Sequence, residues 1–362
     1  MTSGHPSRPG AGLGRKVLIS PPPEPHADIL NRCLSIDCAA MQLYGSFAQE
    51  ASSEVVGTFW RHMVLEEKEH IEFWRYCLTL AESDLLPRPF EHPEVVIQEL
   101  AEIQQRIEDL FSLAADKSHP ADPFIIAGKM EYYLLHPTFL TFFQLTDALF
   151  QRPSIMERYE EHLDGFLTAF QTYGRVESET RMLVELIQDL WRTVRTVVRQ
   201  SLFDPLTEIF NRRGLFSALM PMAYLAARKK FDVAIMMVDL DFFKALNDLH
   251  GHLKGDLVLK KTAEVLKDSI RRSDIVGRYG GDEFLVYLSE IDQGYVLDVA
   301  ERIRHNIRQE LELIVPATAT IGLAIGQLGP ATEQDLWLRI READTQLVSA
   351  KREGRRDSVN LA

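Results

Sequence analysis

Three features that define large classes of protein are scarce in this sequence. Only three cysteines occur, Cys33, Cys38 and Cys77, and none forms a Cys-x-x-Cys pair, so neither a disulfide framework nor a zinc knuckle is indicated. No apolar run approaches the roughly 20 residues that a membrane helix needs. Basic residues number 40 against 53 acidic ones, the opposite of the balance in proteins that coat nucleic acid. We therefore expect a cytoplasmic protein that neither inserts into a membrane nor binds nucleic acid.

The length of 362 residues favours two domains, and a hydrophobic content of 46% is sufficient for two ordinary cores. The first 26 residues are rich in Pro and Gly and lack the apolar segment of a signal peptide, so we expect a disordered tail. Beyond it we predict a helical domain over residues 27–175, a linker helix over 176–203 and an α/β domain over 204–362.

Two acidic clusters in the C-terminal half indicate a cation site. A continuous apolar run ends in Asp239 and Asp241, and Gly280-Gly281 directly precedes Asp282 and Glu283. Carboxylates are hard oxygen ligands that suit Mg²⁺ or Mn²⁺ shared with substrate phosphates. A glycine pair between two strand-like runs is also the ordinary signature of a β-hairpin. The turn alone leaves both interpretations open.

Five sequence signatures occur in order over about residues 204 to 360, and together they resemble the GGDEF family of diguanylate cyclases. The signatures are Asp204–Gly214, Asp239–Asp256, Arg271–Asp274, Gly280–Phe284, and Ala343-Asp344 with Lys351–Arg355. The resemblance implies an α/β domain with a central mixed sheet that converts two GTP molecules into cyclic di-GMP. It also implies that the protein works as a homodimer, because each domain holds one GTP.

The resemblance assigns a role to individual residues. The implied Mg²⁺ ligands are Asp239, the carbonyl of Leu240, Asp282 and Glu283, and Asp282 or Glu283 is the implied catalytic proton acceptor. The implied substrate-binding residues are Phe242, Phe243 and Lys244 for phosphate, Asn247 and Asp256 for guanine, the turn Gly280-Gly281, and Lys351 with Arg355 on one helix face for the terminal phosphates. Arg271 and Asp274 match the product-inhibition site of the family.

Alternatives remain for the isolated charges. Arg271 and Asp274 are also compatible with a surface ion pair, and Lys351 and Arg355 with a solvated helix face. The chain departs from the family pattern at Glu208, where glycine is common.

The N-terminal half carries several helical patterns with ionisable residues on their apolar faces. Asp37 lies on the first, and Glu67 and His70 lie three residues apart on the second. An extra helix is predicted over about residues 94–115, and the pattern then repeats. One predicted helix has Phe124, Leu135 and Phe142 on its apolar face together with Glu131. The next has Tyr159 and His162 on its apolar face. Buried charge needs a partner.

This arrangement, with Leu65–His70 as its strongest part, resembles the four-helix bundle of the ferritin-like, rubrerythrin-type proteins. The resemblance implies a di-iron site, or a site for another transition metal, at Asp37, Glu67, His70, Glu131, Tyr159 and His162. Asp37 replaces the usual Glu, and Tyr159 stands where an acid is expected. A buried hydrogen-bonded cluster without metal is the alternative.

A heptad pattern connects the two halves. Its apolar positions are Leu183, Ile187, Leu190, Val194, Val197 and Ser201. They predict a parallel coiled-coil stalk able to transmit a rotation between protomers; a helix lying on its own domain is the alternative.

Three functional hypotheses follow for the whole chain. The first is a diguanylate cyclase regulated by a metal-binding sensor domain that responds to redox state or oxygen. The second is a silent receptor for cyclic di-GMP. The third is an oxidase or peroxidase in the helical half with a regulatory cyclase-like domain.

Overall fold

The computed structural model describes residues 25–118, 121–150, 154–174 and 178–362, so the predicted tail falls almost entirely outside them. The helices are α1 (Pro25–Glu50), α2 (Glu54–Glu82), α3 (Pro93–Ala115), α4 (Pro123–Leu134), α5 (Pro137–Phe150), α6 (Ile155–Tyr173), α7 (Ser178–Leu202), α8 (Arg212–Lys229), α9 (Phe243–His250), α10 (His252–Asp268), α11 (Gln293–Glu312) and α12 (Thr332–Arg352). The strands are β1 (Val233–Leu240), β2 (Ile275–Arg278), β3 (Glu283–Leu288), β4 (Ala319–Gly326) and β5 (Val359–Leu361).

The N-terminal part, α1 to α7, is helical and is called here the helical region. Helix α1 packs along α2 and also contacts α3 and α4. The single helix predicted through Phe124, Leu135 and Phe142 is wrong, because the structure has two helices there, α4 and α5. Pro137 explains the break: it supplies no backbone amide, and it disfavours helical geometry at His136 before it.

Helix α7 does not form the predicted stalk. Its buried face consists of Val184, Ile187, Trp191, Val194, Val198 and Leu202, and it packs against α4, α5 and α6. Ile187 and Val194 belong to the predicted seam, but Val197 is 56% exposed. A spacing of three and four is shared by coiled coils and by any amphipathic helix. The alternative, a helix lying on its own domain, describes the structure.

The C-terminal domain contains the mixed sheet that the sequence predicts. The strand order is β2-β3-β1-β4-β5. Strands β4 and β5 pair in parallel, and the other neighbours pair antiparallel. The hairpin β2–β3 places the glycine turn at the sheet end where β1 also ends.

Both faces of the sheet are covered by helices. Val233, Ile235 and Met237 share a core with α8 and α12 that continues into the helical region. The alternate residues, Ala234 and Met236 among them, pack with α10 and α11 on the other face, as the period of two along a strand requires. Of the helices described, none has the length and apolar content to cross a membrane.

Candidate active site and buried ionisable cluster

The two acidic clusters of the C-terminal domain meet at one end of the sheet. Strands β1 and β3 are antiparallel neighbours, and their register sets Asp239 directly opposite Glu283. Asp282 lies beside them, and its carbonyl accepts a 3.4 Å hydrogen bond from the amide of Leu240. The residues that the sequence assigns to Mg²⁺ therefore lie together.

The glycine turn is braced from outside the hairpin. Arg278 donates to the carbonyl of Gly281 at 3.0 and 2.7 Å, and the same guanidinium pairs with the carboxylate of Asp204 at 3.0 and 3.1 Å. Asp204 also accepts hydrogen bonds from the amide and hydroxyl of Thr207. Burial alone would raise the pKa of Asp204, but these partners lower it. The signature that begins at Asp204 thus positions the glycine turn of the signature Gly280–Phe284.

Lys351 brings a cation to the acidic group. Its Nζ contacts the Asp239 carboxylate and lies 3.5 Å from the carbonyl oxygen of Leu240. Burial, together with the nearby carboxylates of Asp239 and Asp282, raises the pKa of Glu283. Burial also raises the pKa of Asp239, although Lys351 opposes that shift. Crowded carboxylates beside a carbonyl oxygen are the donor set that Mg²⁺ prefers, so the residues present fit this ion.

Asp241, the other acid of the first cluster, has a structural role, because its carboxylate binds groups of the protein itself. It is 4% exposed and accepts hydrogen bonds from the hydroxyls of Thr318 and Thr320, both at 2.7 Å, and from the amide of Asp357 at 3.0 Å. Its carboxylate is therefore satisfied by the protein and holds the end of β1 in place. The sequence pair Asp239 and Asp241 does not by itself distinguish these roles.

The predicted phosphate contacts lie at the start of α9. Phe242 adopts a left-handed conformation, with φ of 56°, and precedes the first helical residue, Phe243. The first amides of a helix have no intrahelical partner and commonly bind phosphate oxygens. Lys244 is exposed in the first turn of α9. This geometry is compatible with the roles assigned to the three residues.

The predicted guanine contacts adjoin α9 and α10. Within the described residues, Asn247 Oδ1 is buried without a hydrogen-bond partner, although buried polar atoms are normally paired. Gly255 makes room for it, since a Cβ there would lie 1.9 Å from that oxygen. Asp256 follows directly and is exposed. An unpaired acceptor beside an exposed carboxylate suits the donors of a guanine edge.

Lys351 and Arg355 do not share one helix face, so that expectation is wrong. Helix α12 ends at Arg352, because Gly354 adopts a left-handed conformation with φ of 77° that is typical of helix ends. Arg355 lies in the following turn, where its guanidinium contacts Glu353 and Asn360.

Arg271 and Asp274 are linked mainly through the backbone. The amide of Arg271 donates to the Asp274 carboxylate at 2.9 Å, and the amide of Ser289 donates to it at 3.2 Å. Burial raises the pKa of Asp274. The Arg271 guanidinium lies 4.2 Å from the ring centre of Tyr295. Asp274 therefore braces the loop, while Arg271 presents its side chain at the surface.

In the helical region, five ionisable side chains meet in the interior. Asp37, Glu67, His70, Glu131 and His162 are each at most 2% exposed. Their ligand atoms form two groups with internal distances within 4.8 Å: one from Asp37, Glu67 and His70, the other from Glu67, Glu131 and His162. Glu67 is common to both groups.

Several polar atoms of this cluster have no hydrogen-bond partner among the described residues. They are Asp37 Oδ1, Glu67 Oε1, Glu131 Oε2 and the hydroxyl of Tyr159, and Tyr159 is 1% exposed. Burial raises the pKa of Glu67 to about 8 and lowers that of His70 to about 4. Unpaired buried charge is costly. Imidazole nitrogens and carboxylate oxygens with unused lone pairs fit a transition metal.

Sequence reasoning missed the partners that orient this cluster. The Trp74 indole donates to Asp37, and the Tyr44 hydroxyl to Glu131, both at 2.5 Å. Glu66 Oε2 lies 3.0 Å from Nδ1 of His162. Residues in this position fix the tautomer and orientation of metal-binding histidines. Trp74 follows His70 by one helical turn, so the spacing contained a clue to its role.

The C-terminal part matches a known family. Residues 201–357 match the model described as diguanylate cyclase, GGDEF domain. Over 197 residues the chain is 34% identical to a probable diguanylate cyclase, DgcT, of Escherichia coli (strain K12). The aligned region covers 51% of this chain and 42% of that protein. Over 182 residues it is 32% identical to the diguanylate cyclase DosC of the same organism, covering 50% and 39%. The chain thus spans less than half the length of either relative.

Solved structures include similar domains. The GGDEF domain of PA1120 (YfiN or TpbB) from Pseudomonas aeruginosa is 32% identical, with 43% of this chain and 98% of that chain covered and a TM-score of 0.37.

Proposed function

We propose that the protein is a diguanylate cyclase, because its residues 201–357 match the GGDEF domain model. The reaction joins two GTP molecules into cyclic di-GMP and releases two diphosphates. The observation that supports this most is the register that sets Asp239 opposite Glu283, with Lys351 in contact with Asp239.

In this reaction each 3′-hydroxyl attacks the α-phosphate of the other GTP, and diphosphate leaves. Bound Mg²⁺ supplies charge neutralisation and favours ionisation of the attacking hydroxyl. Asp239, the Leu240 carbonyl, Asp282 and Glu283 would hold the ions, and Asp282 or Glu283 accepts the hydroxyl proton. Positioning and electrostatics account for most catalysis of this kind.

Selection of GTP would depend on two groups of residues, one that contacts its phosphates and one that contacts its base. The amides of Phe242 and Phe243, with Lys244 and Lys351, contact the phosphates. Asn247 and Asp256 pair with the donors and acceptors of guanine, which disfavours ATP.

Because one domain holds one GTP, the active form is a homodimer with two sites facing each other. Product binds at Arg271 and Asp274 and inhibits the enzyme; Arg355 serves the terminal phosphates only after it leaves Glu353.

The test uses the full chain with GTP and Mg²⁺, and product is separated by chromatography. Glu283→Gln should remove turnover, because one charged ligand to the metal is lost. Glu310→Gln, at an exposed position of α11, is the matched control and should keep the wild-type rate. Normal turnover by Glu283→Gln would contradict the site assignment.

We further infer that the helical region is a metal-binding regulatory domain. The support is the pair of ligand groups that share Glu67 and the unpartnered buried oxygens around them. Bound iron would supply a centre whose charge changes on oxidation. Asp37, Glu67, His70, Glu131 and His162 would hold it, and the hydroxyl of Tyr159 is available to it.

Metal analysis and an optical spectrum of anaerobically purified protein test this inference. The cyclase rate should differ between reduced and air-oxidised protein, and His70→Ala should remove the difference while GTP turnover persists. Equal rates in iron-containing wild-type protein would contradict regulation. Protein without metal would favour a hydrogen-bonded cluster and leave the cyclase proposal unaffected.

A further inference from the structure

Two arginines follow the end of α12, and they differ in how their guanidinium groups are engaged. Arg355 is exposed, and its guanidinium donates to the Glu353 carboxylate at 2.9 Å and to the side-chain oxygen of Asn360. Arg356 is half-buried and has no hydrogen-bond or ion-pair partner among the residues that the structure describes. The donors of Arg356 are therefore free to bind a ligand, whereas those of Arg355 already have acceptors.

The guanidinium of Arg356 lies where the phosphates of GTP are expected. Its central carbon is 4.4 Å from the ring centre of Phe242, the residue directly before the first turn of α9. Contact with the face of a ring uses the positive charge of the guanidinium rather than its N–H groups. The planar fork of N–H donors thus remains available for phosphate oxygens, which it matches in geometry.

The turn that contains Arg356 is fixed to the end of β1. The amide of Asp357 donates to the Asp241 carboxylate at 3.0 Å, and the Asp357 carboxylate accepts hydrogen bonds from Arg304 and Arg308 at 2.7 and 2.9 Å. Because β1 also ends in the predicted Mg²⁺ ligands, these contacts hold the turn at a constant distance from them. A backbone that is fixed beforehand reduces the entropy lost when a side chain binds its ligand.

The charge balance of the site favours a second cation beside Lys351. The Nζ of Lys351 contacts the Asp239 carboxylate, so part of its charge is offset before any substrate binds. Asp282 and Glu283 add negative charge that repels a triphosphate. Arginine binds phosphate through paired, charge-assisted hydrogen bonds, which are about twice as strong as neutral ones. Arg356 supplies such a group without first breaking an ion pair.

We propose that Arg356 binds the part of GTP that leaves as diphosphate. The proposal rests on the proposed function, because GTP is the substrate only if the protein is a diguanylate cyclase. It goes beyond the roles of Lys351 and Arg355, since it gives the arginine contact to a residue whose donors are free. The α-phosphate must stay open to the hydroxyl of the other GTP, so cations of the same domain are expected at the β- and γ-phosphates.

The test is calorimetric titration of 3′-deoxy-GTP and of GMP, each with Mg²⁺, into the full chain. The triphosphate analogue lacks the attacking hydroxyl, so its binding is measured apart from turnover. Arg356→Gln should weaken binding of the analogue at least roughly tenfold, because a charge-assisted contact is lost, and should leave the affinity for GMP unchanged. Arg356→Lys keeps the charge without the fork of donors and should bind the analogue with intermediate affinity.

Two neighbouring arginines provide comparisons. Arg352→Gln, at an exposed position in the last turn of α12, is the matched control and should bind both ligands like wild type. Arg355→Gln should cost less affinity than Arg356→Gln, because the donors of Arg355 already have partners in the protein. Added salt should narrow the difference between wild type and Arg356→Gln, since salt screens the contact between charges. A difference that came only from packing on Phe242 would not respond in this way.

Wild-type affinity of Arg356→Gln for the analogue would overturn the proposal. An equal loss of affinity for GMP would also overturn it, because it would indicate an altered start of α9 rather than a lost contact to the diphosphate. A larger loss in Arg355→Gln than in Arg356→Gln would assign the contact to Arg355 instead. Failure of the cyclase proposal is separate, since it would appear as wild-type protein that binds the analogue but makes no product from GTP. Wild-type protein that does not bind the analogue would overturn both proposals.

Discussion

Glu67→Gln should shift stability in opposite directions with and without metal. Glu67 is fully buried and belongs to both ligand groups. Burial raises its pKa to about 8 from an ordinary value of 4.5. In metal-free protein at pH 7, the folded state therefore holds this carboxyl mostly protonated, whereas the unfolded chain leaves it ionised.

The size of the effect follows from the two pKa values. An acid whose pKa is raised by folding lowers stability as pH rises from 4.5 towards 8. Each pH unit in this interval costs about 1.4 kcal/mol, so the cost at pH 7 is about 3 kcal/mol. Glutamine has a similar shape and no ionisation. Glu67→Gln should thus raise the free energy of unfolding of metal-free protein by up to about 3 kcal/mol at pH 7 and by under about 1 kcal/mol at pH 5.

Metal should reverse the order of the two proteins. A ligand at 1,000 times its Kd stabilises the folded state by about 4.1 kcal/mol, which exceeds the cost of about 3 kcal/mol at pH 7. Wild-type protein should gain this amount, whereas the variant lacks the shared carboxylate and should gain little. The assay is urea unfolding followed by tryptophan fluorescence, because Trp60, Trp74 and Trp191 are buried in the helical region and Trp74 donates to Asp37.

The control is Glu72→Gln, whose side chain is 69% exposed and pairs with Arg75. An exposed pair of this kind contributes at most about 1 kcal/mol. A Glu67→Gln protein less stable than wild type in chelator at pH 7 would refute the reasoning, because it would mean that the buried carboxylate already has adequate partners in the protein.

Other predictions concern the C-terminal domain. Arg271→Ala should raise the inhibitory concentration of product at least roughly tenfold by removing a charge-assisted contact; an unchanged inhibition curve would assign the residue to the surface only. Gly255→Ala should raise KM for GTP, because its Cβ would displace the Asn247 amide, whereas Gly45→Ala, with open space around it, should not. Glu208→Gly should stabilise the protein by about 1 kcal/mol in urea unfolding, because Glu208 has φ of 59°; a loss of stability would show that the glutamate side chain contributes more than this strain costs.

Local spacing was sufficient for much of the site. The turn Gly280-Gly281 and the acids after it identify the C-terminal domain, and its mixed sheet is confirmed. In the helical region, the spacing of Glu67 and His70 correctly placed both on a buried face. Such features depend on neighbours within one helical turn or one strand, which a sequence displays directly.

What the sequence could not supply depends on packing between distant segments. Nothing local distinguishes Asp239, opposite Glu283, from Asp241, whose partners are Thr318 and Thr320. The apolar stripe of α7 is compatible with packing against a second copy of α7 or against helices of its own chain. Only the assembled structure shows that it packs against its own chain. The position of Arg355 is a different case, because Gly354 directly before it is a local signal for the end of a helix.

The packing of α7 decides how a change in the cluster can reach the active site. Rotation of α7 would expose six buried apolar side chains, at about 1.5–3 kcal/mol each. That cost is on the order of 10 kcal/mol, well above the roughly 3–4 kcal/mol that a metal supplies at 100 to 1,000 times its Kd. A small displacement of α7 costs less than metal binding supplies, and continuous contacts connect α7 to the buried cluster and to the glycine turn.

Tyr159 lies 5.4 Å from Trp191 of α7 between ring centres, and the carbonyl of Leu202, at the end of α7, accepts the amide of Asn211 at 3.0 Å. Asp204 lies two residues after Leu202 and accepts a hydrogen bond from Arg278, which also donates to the carbonyl of Gly281 in the glycine turn. Displacement along these contacts, rather than rotation of a stalk, is therefore the motion that the magnitudes permit.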